Sequence, residues 1–318
     1  MTPRRGPIFV AGVDRSGLGL LGELLDAHPA IAISRRTNFW SFYHGRFGDL
    51  ATPGNLERCV HEMLRYTRIQ ALQPDRDALL DALAVDGPPT YARLFATLQE
   101  QHLRRIGKSR WGDKSLDSEA HAGVILAAYP DAVMMHVIRD PRDRYASQAS
   151  HRGRARGRVG SGIALWNWSV QHARRNLARH PGRYAVVRYE DLVTRPEATL
   201  RRVCTFVGED FAPEMLDAPA QDGYASGGAR RRAFTATSIG RFRRDLTPRE
   251  VASIERAARR GMAEFGYAAA AARLPWPDRF AAAIDVPRNL WRMTAWRAKR
   301  AWLARRGGRP APRRIAMT

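Results

Sequence analysis

An α/β fold with a parallel sheet flanked by helices is expected from three observations. Short apolar runs alternate with helical periodicity along most of the 318 residues. The first apolar run, Ile8 to Val13, breaks at a glycine-bearing turn and resumes as a helix with apolar positions at Leu20, Leu21, Leu24 and Leu25. Arg15, Lys114, Arg139 and Tyr189 each fall at or just past the end of an expected strand, where an open α/β sheet collects its binding groups.

Strands are expected at 7–13, 30–34, 109–112, 132–139 and 183–188. Helices are expected at 17–27, 54–71, 75–84, 90–106, 117–129, 142–150, 163–179, 197–207 and 247–265. The helices between 54 and 106 carry no anion-binding signature and are expected to shape a substrate pocket. Residues 213–237, rich in Gly, Ala, Ser and Arg, read as a long loop of the kind that forms lids. No internal repeat is present. Residues 1–270 are expected to form one domain and 271–318 a basic helix with a disordered tail.

The first strand–turn–helix unit is built to aim backbone N–H groups and a helix dipole at an anion. Gly12 and Gly17 have the G-x-x-x-x-G spacing of a nucleotide phosphate loop. Leu18 and Gly19 stand where Lys and Ser/Thr would hold β/γ-phosphates and magnesium, and the basic residue, Arg15, lies inside the loop. The pattern fits a phosphate or sulfate group held without a metal and argues against a phosphate-loop kinase or ATPase.

Composition sets further bounds. Two cysteines, Cys59 and Cys204, are too few for a disulfide framework, so a reducing, cytoplasmic setting is expected. Met1 to Gly6 is too short and polar for a signal peptide, and no apolar run of about 18 residues occurs, so no membrane span is expected. The net charge of +22 is concentrated in two places. One is His151 to Ser161, where four arginines alternate with glycine and other small residues; it reads as a solvated loop or as a grip for an anionic ligand. The other is Pro287 to Thr318, with ten Lys/Arg and no acid. There Trp291, Ala295, Ala298 and Trp302 share one side of a helix. That stripe either docks on the domain or, through residues 288–306, rests on an anionic membrane surface. Nucleic acid is a weaker fit, because charge alone gives only nonspecific binding.

Five blocks carry a family resemblance. They are Arg15-Ser16-Gly17 with Leu25-Asp26-Ala27-His28-Pro29; Trp111-Gly112-Asp113-Lys114-Ser115; Val137-Ile138-Arg139-Asp140-Pro141-Arg142-Asp143 with Ser147; Val187-Arg188-Tyr189-Glu190-Asp191-Leu192 with Pro196; and Ser238-Ile239-Gly240-Arg241-Phe242. In order and spacing, over roughly residues 7 to 267, the chain resembles the sulfotransferases that use 3′-phosphoadenosine-5′-phosphosulfate (PAPS), in a bacterial branch similar to the tyrosylprotein and carbohydrate enzymes.

The resemblance implies the sulfotransferase fold and a metal-independent transfer of a sulfuryl group from PAPS to a hydroxyl of a glycan, glycolipid or small metabolite. It implies Lys114 and Arg15 as catalytic residues. Arg15, Ser16, Gly17, Leu18 and Gly19 would hold the phosphosulfate, Arg139 and Ser147 the 3′-phosphate, and Tyr189, Ser238 and Arg241 the remainder of the nucleotide. Tyr189 reads equally well as a core aromatic.

Two departures stand out. Leu18 and Gly19 replace the family's paired hydroxyl residues. Arg36 occupies the position of the acceptor-activating glutamate, and an arginine cannot serve as a base at neutral pH. His44, Asp49, Asp14 and Asp113 are the alternatives; otherwise Arg35 and Arg36 bind an anionic acceptor. The rival functions are an inactive homologue that still binds the nucleotide, and a basic scaffold for membrane or nucleic acid.

Overall fold

The computed structural model describes residues 6–85, 87–152, 159–217, 236–270 and 276–305. Five strands, β1 (Ile8–Ala11), β2 (Ile31–Arg35), β3 (Arg110–Lys114), β4 (Val133–Ile138) and β5 (Tyr184–Arg188), form one sheet in the order β2-β3-β1-β4-β5. Every pairing is parallel, with Ile8 opposite both Gly112 and Val133, and Ile31 opposite Arg110. All five lie where the apolar runs predict them. Both faces are covered, which is why the strands read as continuous apolar runs. Phe9, Ala11, Trp111 and Met134 pack against Phe39, Leu94 and Phe95 on one side. Ile8, Val10, Ile33, Val133 and Met135 pack on the other against helix α1 (Leu18–Asp26) and helix Pro196–Val207.

Two expected helices are interrupted. The 54–71 stretch is Asn55–Leu64 and Thr67–Gln70, because Tyr66 is extended (φ −86°, ψ 119°), with its hydroxyl accepting from Asn38 Nδ2 at 3.1 Å. The 117–129 stretch is a 3-10 turn, Ser118–His121, followed by Ala122–Ala128. Asp117 (φ 66°) precedes it, and its amide bonds to the Gly12 carbonyl. Of the expected lid, residues 218–235 lie outside the described residues, as do 153–158 of the arginine–glycine loop.

The C-terminal helix runs over Trp276–Arg305, starting well before residue 288, and packs along helix Val159–Arg179. Its docking face is not the Trp291/Trp302 stripe. Asn289, Met293, Trp296 and Arg300 face the domain, while Trp291 and Trp302 are exposed; periodicity shows which residues share a side, not which side meets the protein. Residues 306–318 lie outside the described residues. Among the described residues no helix is long and apolar enough to cross a membrane, and both cysteines are buried free thiols.

Candidate active site

The phosphate loop leaves β1 at Gly12, whose amide donates to Glu119 Oε2 at 3.1 Å. Ser16 is turned inward: its amide and hydroxyl both donate to the Val13 carbonyl, at 3.2 and 2.6 Å, so neither faces a ligand. Gly17 caps α1 in a left-handed conformation (φ 98°), and a Cβ there would fall 2.3 Å from Tyr189 Cδ2. The tyrosine ring therefore lies directly against the loop. What the loop offers an anion is the first turn of α1, where the amides of Leu18, Gly19 and Leu20 precede the first intrahelical acceptors. The Leu18 side chain is buried in the core, and a Cβ at Gly19 would meet nothing within 4 Å. The missing hydroxyls thus leave the loop's backbone intact.

Arg15, Ser147, Arg139, Tyr189 and Ser238 come together around this loop. Arg15 Nε donates to Ser147 Oγ at 2.9 Å. Arg139 donates to the Arg15 carbonyl at 3.3 Å and to the Ser238 carbonyl at 2.7 Å, with its guanidinium 4.3 Å above the Tyr189 ring. Tyr189 and Ser238 share a hydroxyl hydrogen bond of 2.5 Å. Arg139 and Ser147 are therefore linked through Arg15. Arg139 is 5 % exposed and its Nε has no partner among the described residues, so a buried cationic donor remains available for an anion. Burial lowers its pKa, with the Tyr189 ring, Asp143 and Glu190 opposing that fall.

Arg241 is placed differently. It pairs with Asp245 at 2.6 Å and reaches Ser150 Oγ at 2.9 Å, which directs it at helix Pro141–Arg152 and not at the loop. Asp143 takes the amides of Gly240 and Phe242, at 2.7 and 3.0 Å, and so ties the Ser238–Phe242 segment down beside Arg139.

Lys114 ends β3 on the α1 side. Its stem lies against Gly22, where an added Cβ would sit 2.8 Å from Lys114 Cδ. Burial, with the Arg36 guanidinium, lowers its pKa to about 8, against the pull of Glu23. The neighbours of Lys114 in sequence hold the rest of the corner. Asp113, fully buried, accepts from Ser34 Oγ at 2.9 Å and Thr37 Oγ1 at 2.8 Å, and Ser115 Oγ accepts the Asn38 amide at 2.8 Å. The Arg36 amide donates to the Lys114 carbonyl at 2.7 Å. Alternation along one strand thus sends the lysine to one face and a carboxylate clamp to the other.

The base candidates divide sharply. Asp113 is committed to the clamp, and Asp49 to its own turn, accepting the Ala51 amide at 3.0 Å. Asp14 lies in the loop, 3.8 Å from Arg36. His44 is half-buried between Trp40 and Tyr91, with ring centroids 5.1 and 5.3 Å away, and burial lowers its pKa. Arg35 turns away from Arg36 toward Glu23 and Asp26, at 3.9 and 3.8 Å.

Sequence reasoning missed Glu119 and His121. The pKa of His121 is lowered to about 4 by burial and by the neighbouring His44, so it is neutral at pH 7. Glu119 is fully buried and joins Gly12 to Ser169, whose hydroxyl donates at 2.9 Å and in turn meets His136 Nε2 at 2.8 Å. Burial and the Asp117 carboxylate raise the Glu119 pKa to about 7. No local pattern marks Glu119, because its partners are far away in sequence.

A raised carboxyl pKa means the fold favours the protonated form. That contribution is complete below pH 4.5 and is lost as pH rises through about 7. The melting temperature of Glu119→Gln relative to wild type is therefore expected to rise from pH 5 to pH 8, a difference that leaves out the buried histidines, which act in the opposite sense. Calorimetry across that range checks it, and an unchanged slope in the variant would contradict the assignment.

These features describe an α/β protein in which a glycine-bearing strand–turn–helix loop is followed by a helix that packs on a lysine from a neighbouring strand end. Residues 7–213 match the sequence profile of the sulfotransferase family, and the chain belongs to that family. By family and fold it is a sulfotransferase. It is similar to a putative protein-tyrosine sulfotransferase of Caenorhabditis briggsae, 23 % identical over 217 residues that cover 66 % of this chain and 68 % of that one. It is also 23 % identical over 224 residues to an uncharacterized protein of Aquifex aeolicus (strain VF5), covering 68 % of this chain but only 27 % of that protein. The sulfotransferase domain of the Synechococcus PCC 7002 olefin synthase shares the fold, with a TM-score of 0.57 and 22 % identity, over 85 % of this chain and 95 % of that one. A sulfotransferase domain from the curacin biosynthetic pathway gives 0.58 and 19 %, over 83 % and 99 %.

Proposed function

We propose that the protein transfers a sulfuryl group from PAPS to a hydroxyl of a glycan, glycolipid or small metabolite in the cytoplasm, without a metal. The observation that carries this reading is the meeting of Arg15, Ser147 and Arg139 at the first turn of α1, with Lys114 entering from β3. Arg139, whose buried Nε has no partner among the described residues, and Ser147 fit the extra phosphate that distinguishes PAPS from ATP. The loop offers backbone amides to the phosphosulfate, while Leu18 and Gly19 supply no hydroxyl for magnesium.

In the transfer, the S–O bond to the 5′-phosphate breaks as a new S–O bond forms to the acceptor oxygen. Charge grows on the leaving oxygen and on the sulfuryl oxygens in flight, as in phosphoryl transfer. Lys114 meets the first by charge and by donating a proton; Arg15 meets the second. The lysine needs its proton for this role, and at pH 7 a pKa of about 8 leaves most of the population protonated. Asp14, in the loop beside Arg36, is the first candidate to take the acceptor's proton, with His44 or His121 as the alternatives. Arg36, beside Lys114, favours an acceptor that carries negative charge.

The product nucleotide, 3′-phosphoadenosine 5′-phosphate, is expected to raise the melting temperature without magnesium, and ATP to do so far less. Transfer of labelled sulfate from PAPS to lipid, glycan and metabolite extracts then tests the reaction itself. Equal shifts for both nucleotides, or a requirement for magnesium, would defeat the nucleotide assignment. Tight product binding with no labelled acceptor in any extract would favour the inactive homologue.

A further inference from the structure

Gly12, where the phosphate loop begins, is held on both sides of its backbone by the turn that follows Lys114. Its amide donates to Glu119 Oε2 at 3.1 Å, and its carbonyl accepts the Asp117 amide at 3.4 Å. Glu119 is fully buried, and its other oxygen starts a chain across the fold. Ser169 Oγ lies 2.9 Å from Oε1, His136 Nε2 lies 2.8 Å from Ser169 Oγ, and Tyr184 Oη lies 2.8 Å from His136 Nδ1. A hydroxyl or a neutral imidazole can take such bonds in either direction. With Glu119 ionised, every bond must run toward it. Tyr184 then donates to Nδ1, the ring proton sits on Nε2 and meets Ser169, and Ser169 donates to Oε1. With Glu119 protonated on Oε1, the directions reverse: the carboxyl donates to Ser169, Ser169 to Nε2, and Nδ1–H to Tyr184. One proton gained from solvent converts the first arrangement into the second, and no hydrogen bond of the chain is lost. Gly12 keeps Oε2 as its acceptor in both.

We propose that Glu119 is a positioning residue of the phosphate loop, and that filling the loop with an anion turns this relay over as Glu119 takes up one proton. The carboxylate is bonded to the amide at which the loop begins, so its charge and that of a bound phosphate or sulfate oppose each other through a poorly screened interior. Protonation removes the repulsion and leaves the grip on Gly12 in place. The surrounding groups set the balance between the two forms. Burial and the Asp117 carboxylate raise the Glu119 pKa to about 7, while Arg300, paired with Asp117 at 3.0 Å, pulls the other way. Burial lowers His136 to about 3, and His121 and His172 to about 4, so all three rings stay neutral while Glu119 titrates. Burial also raises the Tyr184 hydroxyl far above its ordinary range, so it keeps its proton. The inference rests on the anion site described above, and not on which donor or acceptor the enzyme uses.

Glu119→Gln isolates the charge, because its amide oxygen accepts from Gly12 while its NH₂ donates to Ser169, as the protonated form does. Long-range nitrogen–proton NMR spectra of the histidine rings read the relay directly. In the full-length wild type, His136 is expected to carry its proton on Nε2 at pH 8 and on Nδ1 at pH 5, and in Glu119→Gln on Nδ1 at both. Adding 3′-phosphoadenosine 5′-phosphate at pH 8 is expected to move the wild-type ring toward Nδ1, a readout that needs no variant. By titration calorimetry, Glu119→Gln is expected to bind this nucleotide about threefold or more tighter than wild type at pH 8, and equally at pH 5. The comparison cancels the titration of the nucleotide's own phosphates and of Lys114. Glu119→Ala, which lacks the charge and the hydrogen bonds alike, is expected to bind about tenfold or more weaker than Glu119→Gln at both. A His136 tautomer that ignores pH, nucleotide and the Gln substitution would overturn the relay, and equal affinities of the Gln and Ala variants would overturn the positioning role. Should the nucleotide bind no form of the protein, the donor assignment fails and inorganic sulfate becomes the probe: a wild-type ring that sulfate does not move at pH 8 overturns the coupling.

Discussion

Lys114→Met is expected to make the protein more stable at pH 7 and to cut turnover by about a hundredfold or more. The lysine is 6 % exposed, and burial with the Arg36 guanidinium holds its pKa at about 8 against an ordinary 10.5. A group that binds its proton less tightly in the folded chain than in the unfolded one destabilises the fold wherever it stays charged. Below pH 8 that cost is on the order of 3 kcal/mol, and it vanishes as pH rises from about 8 through the unfolded value. Methionine keeps the stem that packs on Gly22 and removes the charge. The melting temperature of the variant is therefore expected to exceed that of wild type by several degrees at pH 7, and the gap to close toward pH 10. Calorimetry at the two pH values, with single-turnover sulfate transfer, checks both halves. A variant of unchanged stability and turnover would remove Lys114 from the mechanism and its buried charge from the stability of the fold.

The second large effect is expected at Gly17. Alanine there must adopt a left-handed φ of 98° and place its Cβ 2.3 Å from a ring that cannot easily retreat. Tyr189 is held from above by the Arg139 guanidinium and at its hydroxyl by Ser238. Backbone strain and overpacking together are expected to cost about 2–4 kcal/mol, and the loop amides to lose their aim. Denaturant melts should show the destabilisation, and titration with 3′-phosphoadenosine 5′-phosphate a loss of about tenfold or more in affinity. Adding Tyr189→Ala should restore part of the stability by opening the space, but not the part due to φ. A Gly17→Ala protein that melts within a degree of wild type would show that the ring moves aside freely.

Both predictions turn on contacts that local sequence only half reveals. The chain by itself determined the strand–turn–helix unit at Ile8–Asp26, the five strands, the lysine at the end of β3 and the grouping of basic residues at strand ends. Those signals are local: apolar runs of strand length, a glycine where the backbone must turn left-handed, and motifs whose spacing is set along one strand or helix. Tyr189 was equally legible as a ligand or as a packing residue, and only the sheet order, which brings the segment after β5 against Gly17, favours the second. Arg15 and Ser147 meet across 132 residues, and Gly12 and Glu119 across 107. A buried polar group takes whatever partner the fold brings within reach, and its own neighbours in sequence do not record which that is. The same limit explains the C-terminal helix, whose periodicity marked two sides without naming the inner one. What tertiary structure decided was the pairing of surfaces: which side chains spend their hydrogen bonds on one another, and which, like Arg139 Nε, have no partner among the described residues.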